Sequence, residues 1–118
     1  MRAALVSVGI ALALCACGAK PPAEAPEQIA ARAANAAPAD ARLAGLYNSA
    51  CHNCHGQAGA GAPLALDRTA WNERWAKGEQ TLLDHTISGF NGMPAGGQCF
   101  SCSADDYRAL IRFMAGRE

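Results

Sequence analysis

The sequence has no excess of charge of either sign. Ten Lys and Arg side chains are matched by ten Asp and Glu side chains, which gives a formal net charge of zero at pH 7. Proteins that attract nucleic acid or anionic membrane surfaces electrostatically carry a strongly basic face. The balanced composition gives no sign of such a basic face, and we therefore expect no nucleic-acid partner.

The N-terminal apolar run is too short for a transmembrane helix, which needs about 20 apolar residues. Residues 3–14 follow Arg2 and are interrupted only by Ser7 and Gly9. A short apolar run behind a positively charged start is typical of a secretory signal peptide. We therefore predict that residues 1–16 are a signal peptide and that the mature protein is exported.

The end of this segment resembles the lipobox of bacterial lipoproteins. Leu14 lies three residues before Cys17, and the small Ala16 lies directly before it. The resemblance implies lipid on the Cys17 sulfur and a membrane-anchored lipoprotein that faces the periplasm, in the inner or outer membrane. An ordinary signal peptide that happens to contain cysteines is the alternative. Cys15 is the poorer lipidation site, because bulky Leu14 would precede it.

The chain has six cysteines, which fall into three pairs. The pairs are Cys15 with Cys17, Cys51 with Cys54, and Cys99 with Cys102. The first pair belongs to the signal and the anchor. The other two are CxxC pairs in an exported chain, where thiols do not stay free. Each of these two pairs therefore requires its own chemical explanation.

Large apolar residues are scarce between the signal peptide and residue 40. This stretch is rich in Ala and Pro and has almost no large apolar residue apart from Ile29. Such a composition cannot bury enough surface to fold. We therefore predict that residues 17–40 are a tether, with an Ala-rich part near residues 27–37 that is transiently helical. Residues 41–118 are then the folded domain, and a domain this small needs a cofactor or a disulfide to stabilise its core.

No stretch of the sequence alternates apolar and polar residues in the way that predicts a strand. Helical periodicity is present instead. Asp40 is a suitable N-cap for a helix over residues 41–51, and residues 79–88 form a second helix that ends at Gly89. Ser103 and Asp106 form a capping box for a last helix, whose apolar face is Tyr107, Leu110, Ile111 and Met114. With a shorter helical piece near residues 71–75, the fold class is all-α.

Cys51-His52-Asn53-Cys54-His55 is the strongest motif in the chain. In a CxxCH motif the two thiols form thioethers with one edge of a haem, and the following His binds the iron. A thioredoxin-type redox motif would be expected in a βαβ pattern, and a zinc site needs further ligands at suitable spacing. The sequence therefore predicts one haem c, attached covalently through Cys51 and Cys54 and ligated by His55.

The second axial ligand follows largely by elimination. Met1 is lost with the signal peptide, and Met114 lies on the apolar face of the last helix, where packing explains it. Met93 lies in a loop between Gly92 and Pro94, as suits a ligand on the far side of the iron. His85 is the alternative ligand, although a polar helix position is more often simply solvated.

Together these residues make the chain similar to the class I c-type cytochromes, and within them to the bacterial cytochrome c5 group. The resemblance covers nearly all of residues 43–115. It is carried by Tyr47, residues 51–55, residues 61–63, Asp67, Trp71, Arg74, residues 77–78, residues 92–94 and residues 97–103. It implies a small cytochrome c fold in which three to four helices surround one haem. The anchor and tether depart from the pattern, because members of the group are often soluble.

The resemblance implies roles for further residues. Pro63 would offer its carbonyl oxygen to the Nδ1–H of His55 and so orient the ring. Cys99 and Cys102 would form a disulfide after the Met ligand, although a catalytic dithiol remains the alternative. Independently of the resemblance, Trp71 and Arg74 are candidates to bind or screen a haem propionate, and packing explains the aromatic residue equally well.

An iron with His and Met ligands has no open coordination position, which suits one-electron transfer rather than substrate chemistry. We therefore expect a protein that is not an enzyme. It would carry electrons between redox proteins of a periplasmic respiratory chain, from a donor complex to a terminal oxidase or peroxidase. Two alternatives remain: a fixed haem subunit of a larger redox complex, and a haem enzyme or gas sensor with a labile Met.

Overall fold

A computed structural model describes residues 23–118, and six α-helices make up most of it. They are α1 (Pro26–Asn35), α2 (Ala41–Leu46), α3 (His52–His55), α4 (Arg68–Trp75), α5 (Glu79–Ser88) and α6 (Ala104–Met114). A π-helical segment, Tyr47–Cys51, joins α2 to α3, and a 3₁₀ turn, Ala95–Gln98, precedes α6. Within this part of the chain there is no strand, only an isolated bridge between Phe90 and Met93. The predicted all-α class is confirmed.

The helix predicted over residues 41–51 begins as expected but extends further. The Asp40 side chain accepts a hydrogen bond from the Leu43 amide at 2.8 Å, which satisfies one of the free donors at the helix start. The helix then widens, and the His52 amide donates to the carbonyl of Tyr47, five residues earlier. This π-turn lets the helix continue through the CxxCH motif and end at Gly56.

The caps of α5 and α6 are those that the sequence predicts. Gly89, with φ of +85°, ends α5, and Ser103 and Asp106 form the capping box of α6. The Asp106 carboxylate also accepts a hydrogen bond from Arg42 at 2.7 Å. Arg42 and then Ser103 hold the pKa of Asp106 well below its ordinary value. A carboxylate with a lowered pKa stabilises the fold above its ordinary pKa and loses that contribution as the pH falls.

The main core lies where the continuous helix formed by α2, the π-helical segment and α3 crosses α6. Tyr47 and Leu110 are almost completely buried, and the Tyr47 and Phe113 rings meet edge-to-face with centroids 5.0 Å apart. A smaller cluster joins Leu82 and Leu83 of α5 to α6. The predicted apolar face of α6 is therefore the buried face, with Tyr107 half-buried at its edge, where its hydroxyl donates to the Cys99 carbonyl at 2.8 Å.

Helix α1 lies inside the segment 17–40 that was predicted to be a tether, and it packs against the domain. Ala33 is fully buried in the same cluster as Tyr47. Arg32 donates to the Leu66 carbonyl at 3.0 Å, and His52 Nε2 lies 3.0 Å from the Ala34 carbonyl oxygen. The contacts that hold α1 on the domain use a small side chain and backbone carbonyl groups. A helix held in this way needs few large apolar residues, which is why the composition of the segment predicts a tether instead. Residues 17–22 lie outside the described part of the chain, as do the predicted signal peptide and Cys17.

None of the helices between residues 23 and 118 combines the length and the apolar character that crossing a membrane would require.

Candidate haem site

The two cysteines of the CxxCH motif lie at one edge of a cavity. Cys51 ends the π-helical segment and Cys54 lies one turn later on α3, and neither is in a disulfide. Burial raises the pKa of the Cys51 thiol to about 11. Reactive thiols of redox CxxC motifs have a lowered pKa, so Cys51 does not resemble the nucleophile of a dithiol oxidoreductase.

The His55 ring is held by its backbone surroundings. It is 7% exposed, and its Nδ1 lies 2.8 Å from the Pro63 carbonyl oxygen. A carbonyl oxygen only accepts, so Nδ1 carries the proton and Nε2 keeps its lone pair. Burial lowers the pKa of His55, which favours the neutral imidazole that can bind a metal. The loop is closed by a second bond, from the Ala65 amide to the His55 carbonyl at 2.7 Å.

The cavity beside these residues has a volume of about 620 Å³. This lies within the range of cofactor sites, about 300–1,000 Å³. Cys51, Cys54, His55 and Met93 all line it. A second cavity of about 360 Å³ lies under α1 and contains none of these four residues. Two thiols, one neutral imidazole and one thioether around a single cavity are the donor set that a covalently bound haem requires.

Met93 reaches the cavity through a tight loop. Its amide and carbonyl pair with those of Phe90 at 2.9 and 3.0 Å. Gly97 has φ of +54°, and a Cβ there would lie 3.1 Å from the Met93 Cε atom. A side chain at residue 97 would therefore be strained by its backbone and crowd the thioether. The Gly96-Gly97 pair is the feature of the sequence that signals this close approach.

Trp71 forms part of the cavity wall. Its Nε1 donates to the Leu64 carbonyl at 2.8 Å, and its ring lies 5.9 Å from the His55 ring, centroid to centroid. The only hydrogen-bond donor of the indole is therefore used by the protein backbone. Of the two roles considered for Trp71, packing against the site is the one that this geometry favours.

Charged residues of the cavity wall come from α4 and the turn that follows it. Arg74, Glu73 and Lys77 line the cavity there. One Arg74 nitrogen donates to the Ala70 carbonyl at 2.6 Å, which fixes the guanidinium at the wall. Arg74 is the propionate partner that the sequence indicates, and the structure adds Lys77, one helical turn further on, as a second positive charge at the wall.

His85, the alternative ligand, lines the same cavity as Met93. Its ring stacks on Phe90 with centroids 3.9 Å apart and an angle of 10° between the planes. This stacking contact accounts for the position of the imidazole, which therefore does not need to bind iron.

Cys99 and Cys102 are joined by a disulfide, with their Cα atoms 5.4 Å apart. The Cys102 amide also donates to the Cys99 carbonyl at 3.2 Å, and Tyr107 donates to the same carbonyl. The loop between the Met93 segment and α6 is therefore closed both covalently and by hydrogen bonds.

Comparison with known proteins agrees with this site. Residues 38–114 match the family model described as cytochrome c oxidase, cbb3-type, subunit III. Cytochrome c5 of Ectopseudomonas mendocina is 43% identical over 68 residues, which cover 56% of this chain and 78% of that protein. For cytochrome c5 of Azotobacter vinelandii the identity is 43% over 68 residues, 56% of this chain and 82% of the relative.

A third relative is cytochrome c-555 of Chlorobaculum tepidum, which is 37% identical over 75 residues, 60% of this chain and 69% of that protein. The family match begins after α1, so this helix lies outside the shared region. The chain therefore belongs to the class I c-type cytochromes, and it is a small electron carrier that binds one haem c covalently through Cys51 and Cys54.

Proposed function

We propose that this protein is a one-electron carrier whose haem iron is bound by His55 and Met93. The observation that carries the proposal is that His55 and Met93 line the same cavity, and that the contact of His55 Nδ1 with the Pro63 carbonyl leaves Nε2 as the nitrogen with a lone pair for iron. A thioether ligand favours ferrous iron and leaves no open coordination position. When bound, the haem supplies the one-electron chemistry, and the protein sets its potential and its access.

The surrounding residues hold these two ligands in place. The Pro63 carbonyl orients His55 and makes it a better donor through the bond to Nδ1–H. Trp71 covers the His55 side, and the bare backbone at Gly97 leaves room for the Met93 methyl group. Arg74 and Lys77 place positive charge at the wall, where it would offset the haem carboxylates.

We propose the periplasmic face of a membrane as the setting. The apolar run of residues 3–14 and the lipobox-like end at Cys17 support export and lipid anchoring. The partners would be redox proteins of a respiratory chain, a donor complex and a terminal oxidase or peroxidase. Because α1 packs on the domain, residues 18–25 alone separate the anchor from it. They reach at most about 28 Å, so the haem would stay near the membrane.

A redox-titrated absorption spectrum of the native full-length protein tests the proposed ligation. We expect a low-spin spectrum in both oxidation states, one midpoint potential, and the far-red band of an iron–thioether bond in the oxidised protein. A high-spin spectrum, or the absence of that band, would contradict His and Met ligation. The band separates Met93 from His85, because an imidazole ligand does not produce it.

Replacement of Cys17 by Ser is expected to move the protein from the membrane fraction to the soluble periplasmic fraction. A Ser hydroxyl cannot form the thioether to lipid that would anchor the chain. Fractionation followed by haem staining measures this, and Cys15→Ser is the matched control, expected to stay with the membrane. Retention of the Cys17→Ser protein in washed membranes would contradict the anchor.

A fixed haem subunit of a larger redox complex is the second candidate. It is favoured by the match to an oxidase-subunit family and by the docked α1, which limits the reach of the domain. Stoichiometric co-purification with other subunits from detergent-solubilised membranes would favour this candidate over a shuttle.

A further inference from the structure

Between residues 23 and 118, two long stretches of the chain carry no Asp, Glu, Lys or Arg. They are residues 43–66 and residues 86–104. Both stretches contribute to the lining of the haem cavity, whereas its charged lining residues, Glu73, Arg74 and Lys77, all come from α4 and the turn after it. Among the residues that line the cavity, charge is thus confined to α4 and the turn after it, and the lining residues from the stretch 86–104 carry none.

The stretch 86–104, which contains Met93, also holds exposed apolar side chains. Between residues 23 and 118, three large hydrophobic side chains are exposed, namely Ile87 (46%), Phe90 (45%) and Phe100 (96%). All three belong to the charge-free stretch 86–104. Single exposed apolar residues are ordinary, but a group of them in one uncharged segment is typical of an interaction site. We call these three side chains and the backbone of residues 86–104 the uncharged surface.

Phe100 is held out into solvent by a rigid loop. The Cys99–Cys102 disulfide closes the loop on either side of it, and the Tyr107 hydroxyl fixes the Cys99 carbonyl. Gln98 lines the haem cavity, and two residues of chain place the Phe100 Cα within about 7 Å of the Gln98 Cα. Because the loop backbone around Phe100 is already closed, little backbone conformational entropy is lost when a partner covers this side chain.

We propose that the uncharged surface is the docking site of the protein's redox partner, and that the partner meets it with an uncharged, apolar patch. A charged group of a partner buried here would be desolvated without an opposite charge to offset the loss. Exposed aromatic side chains are the usual anchors of protein interfaces. The inference rests on the proposed electron-carrier function, and it names which face of the carrier is used and what kind of surface fits it.

The test is the oxidation of the reduced, full-length holoprotein by native membranes, followed by haem absorbance. We expect Phe100→Ala to slow this reaction about tenfold, and Phe100→Asp to slow it further, because Asp places a charge in the interface. Phe100→Leu should restore most of the rate. For the wild-type protein, raising the salt from about 0.02 to about 0.5 M should change the rate less than about twofold.

Two controls separate docking from other effects. Asn48→Ala truncates an exposed side chain outside the uncharged surface and should leave the rate unchanged. Oxidation by ferricyanide, a small ion that needs no docking surface, should be equal in the wild-type protein and in the uncharged variants Phe100→Ala and Phe100→Leu. An unchanged membrane rate in Phe100→Ala, or a steep fall of the wild-type rate with salt, would overturn the proposal.

Two further outcomes are distinguishable from these. If Phe100→Ala instead changes the sedimentation of the purified protein, the surface pairs two copies of the chain, and the proposal of a redox partner is overturned. If the wild-type protein itself is not oxidised by native membranes, the proposed respiratory function fails, and the docking proposal fails with it.

Discussion

Replacement of Met93 by Leu is expected to lower the midpoint potential of the haem by at least about 0.1 V, within the roughly 0.8 V range that axial ligands cover. Leu keeps a similar volume and apolar character but has no sulfur to bind iron. The loss of the thioether removes the preference for ferrous iron and opens one coordination position. A redox titration measures the potential, and the binding of carbon monoxide to the reduced protein measures the open position.

Met114→Leu is the matched control. Met114 also lines the cavity, but it is 4% exposed and packs in the cluster that contains Tyr47 and Leu110. The same change of side chain there should leave the potential nearly constant and admit no carbon monoxide. An unchanged potential in Met93→Leu would contradict Met93 as a ligand. A large shift in His85→Asn would then identify the imidazole as the group on the far side of the iron.

Replacement of Tyr47 by Ala is expected to reduce the free energy of unfolding by about 3–5 kcal/mol. Tyr47 is fully buried, packs edge-to-face on Phe113, and joins the helix that carries the haem cysteines to α6. Its removal leaves a cavity at that crossing. Since small domains are stable by about 5–15 kcal/mol, this is a large share of the total. Denaturant unfolding of the oxidised holoprotein, followed by circular dichroism, measures the change.

Tyr47→Phe is the informative companion variant, because it keeps the ring and removes only the hydroxyl. In the described part of the chain, no hydrogen-bond partner is found for this buried hydroxyl. Burial raises the pKa of Tyr47 to about 12, so the group is neutral at physiological pH. A buried hydroxyl without a partner is unfavourable. We expect Tyr47→Phe to be neutral or stabilising by up to about 1 kcal/mol, and a loss of about 1 kcal/mol or more would show that the hydroxyl is bonded.

Local features of the fold were predictable because their causes lie within a few residues. The Asp40 cap, the end of α5 at Gly89 and the Ser103–Asp106 capping box each depend on hydrogen bonds or backbone angles that span one helical turn. The π-turn at Tyr47–Cys51 was not predictable in this way. In this turn the backbone amide bonds to the carbonyl five residues earlier instead of four. Both bonds join backbone groups, so the side-chain types of the segment do not reveal which of the two forms.

Helix α1 shows where composition misleads. Residues 17–40 have few large apolar side chains, which predicts a tether, yet Ala33 is fully buried and His52 lies against the Ala34 carbonyl. Close packing of a helix on a domain can rely on a small side chain and on carbonyl groups. Such contacts depend on what the rest of the chain presents, and no periodic pattern of large residues announces them.

The sequence by itself determined the all-α class, the covalent haem through Cys51 and Cys54, and the candidate ligands His55 and Met93. These follow from motifs in which neighbouring residues carry the chemistry. Only the tertiary structure decided that Trp71 uses its indole N–H on the Leu64 carbonyl, and that Gly97 makes room for the Met93 methyl group. It also placed Phe90, an exposed aromatic residue of the charge-free stretch 86–104, in the lining of the cavity. Those outcomes depend on which distant groups meet in space, and the order of residues along a chain does not state that.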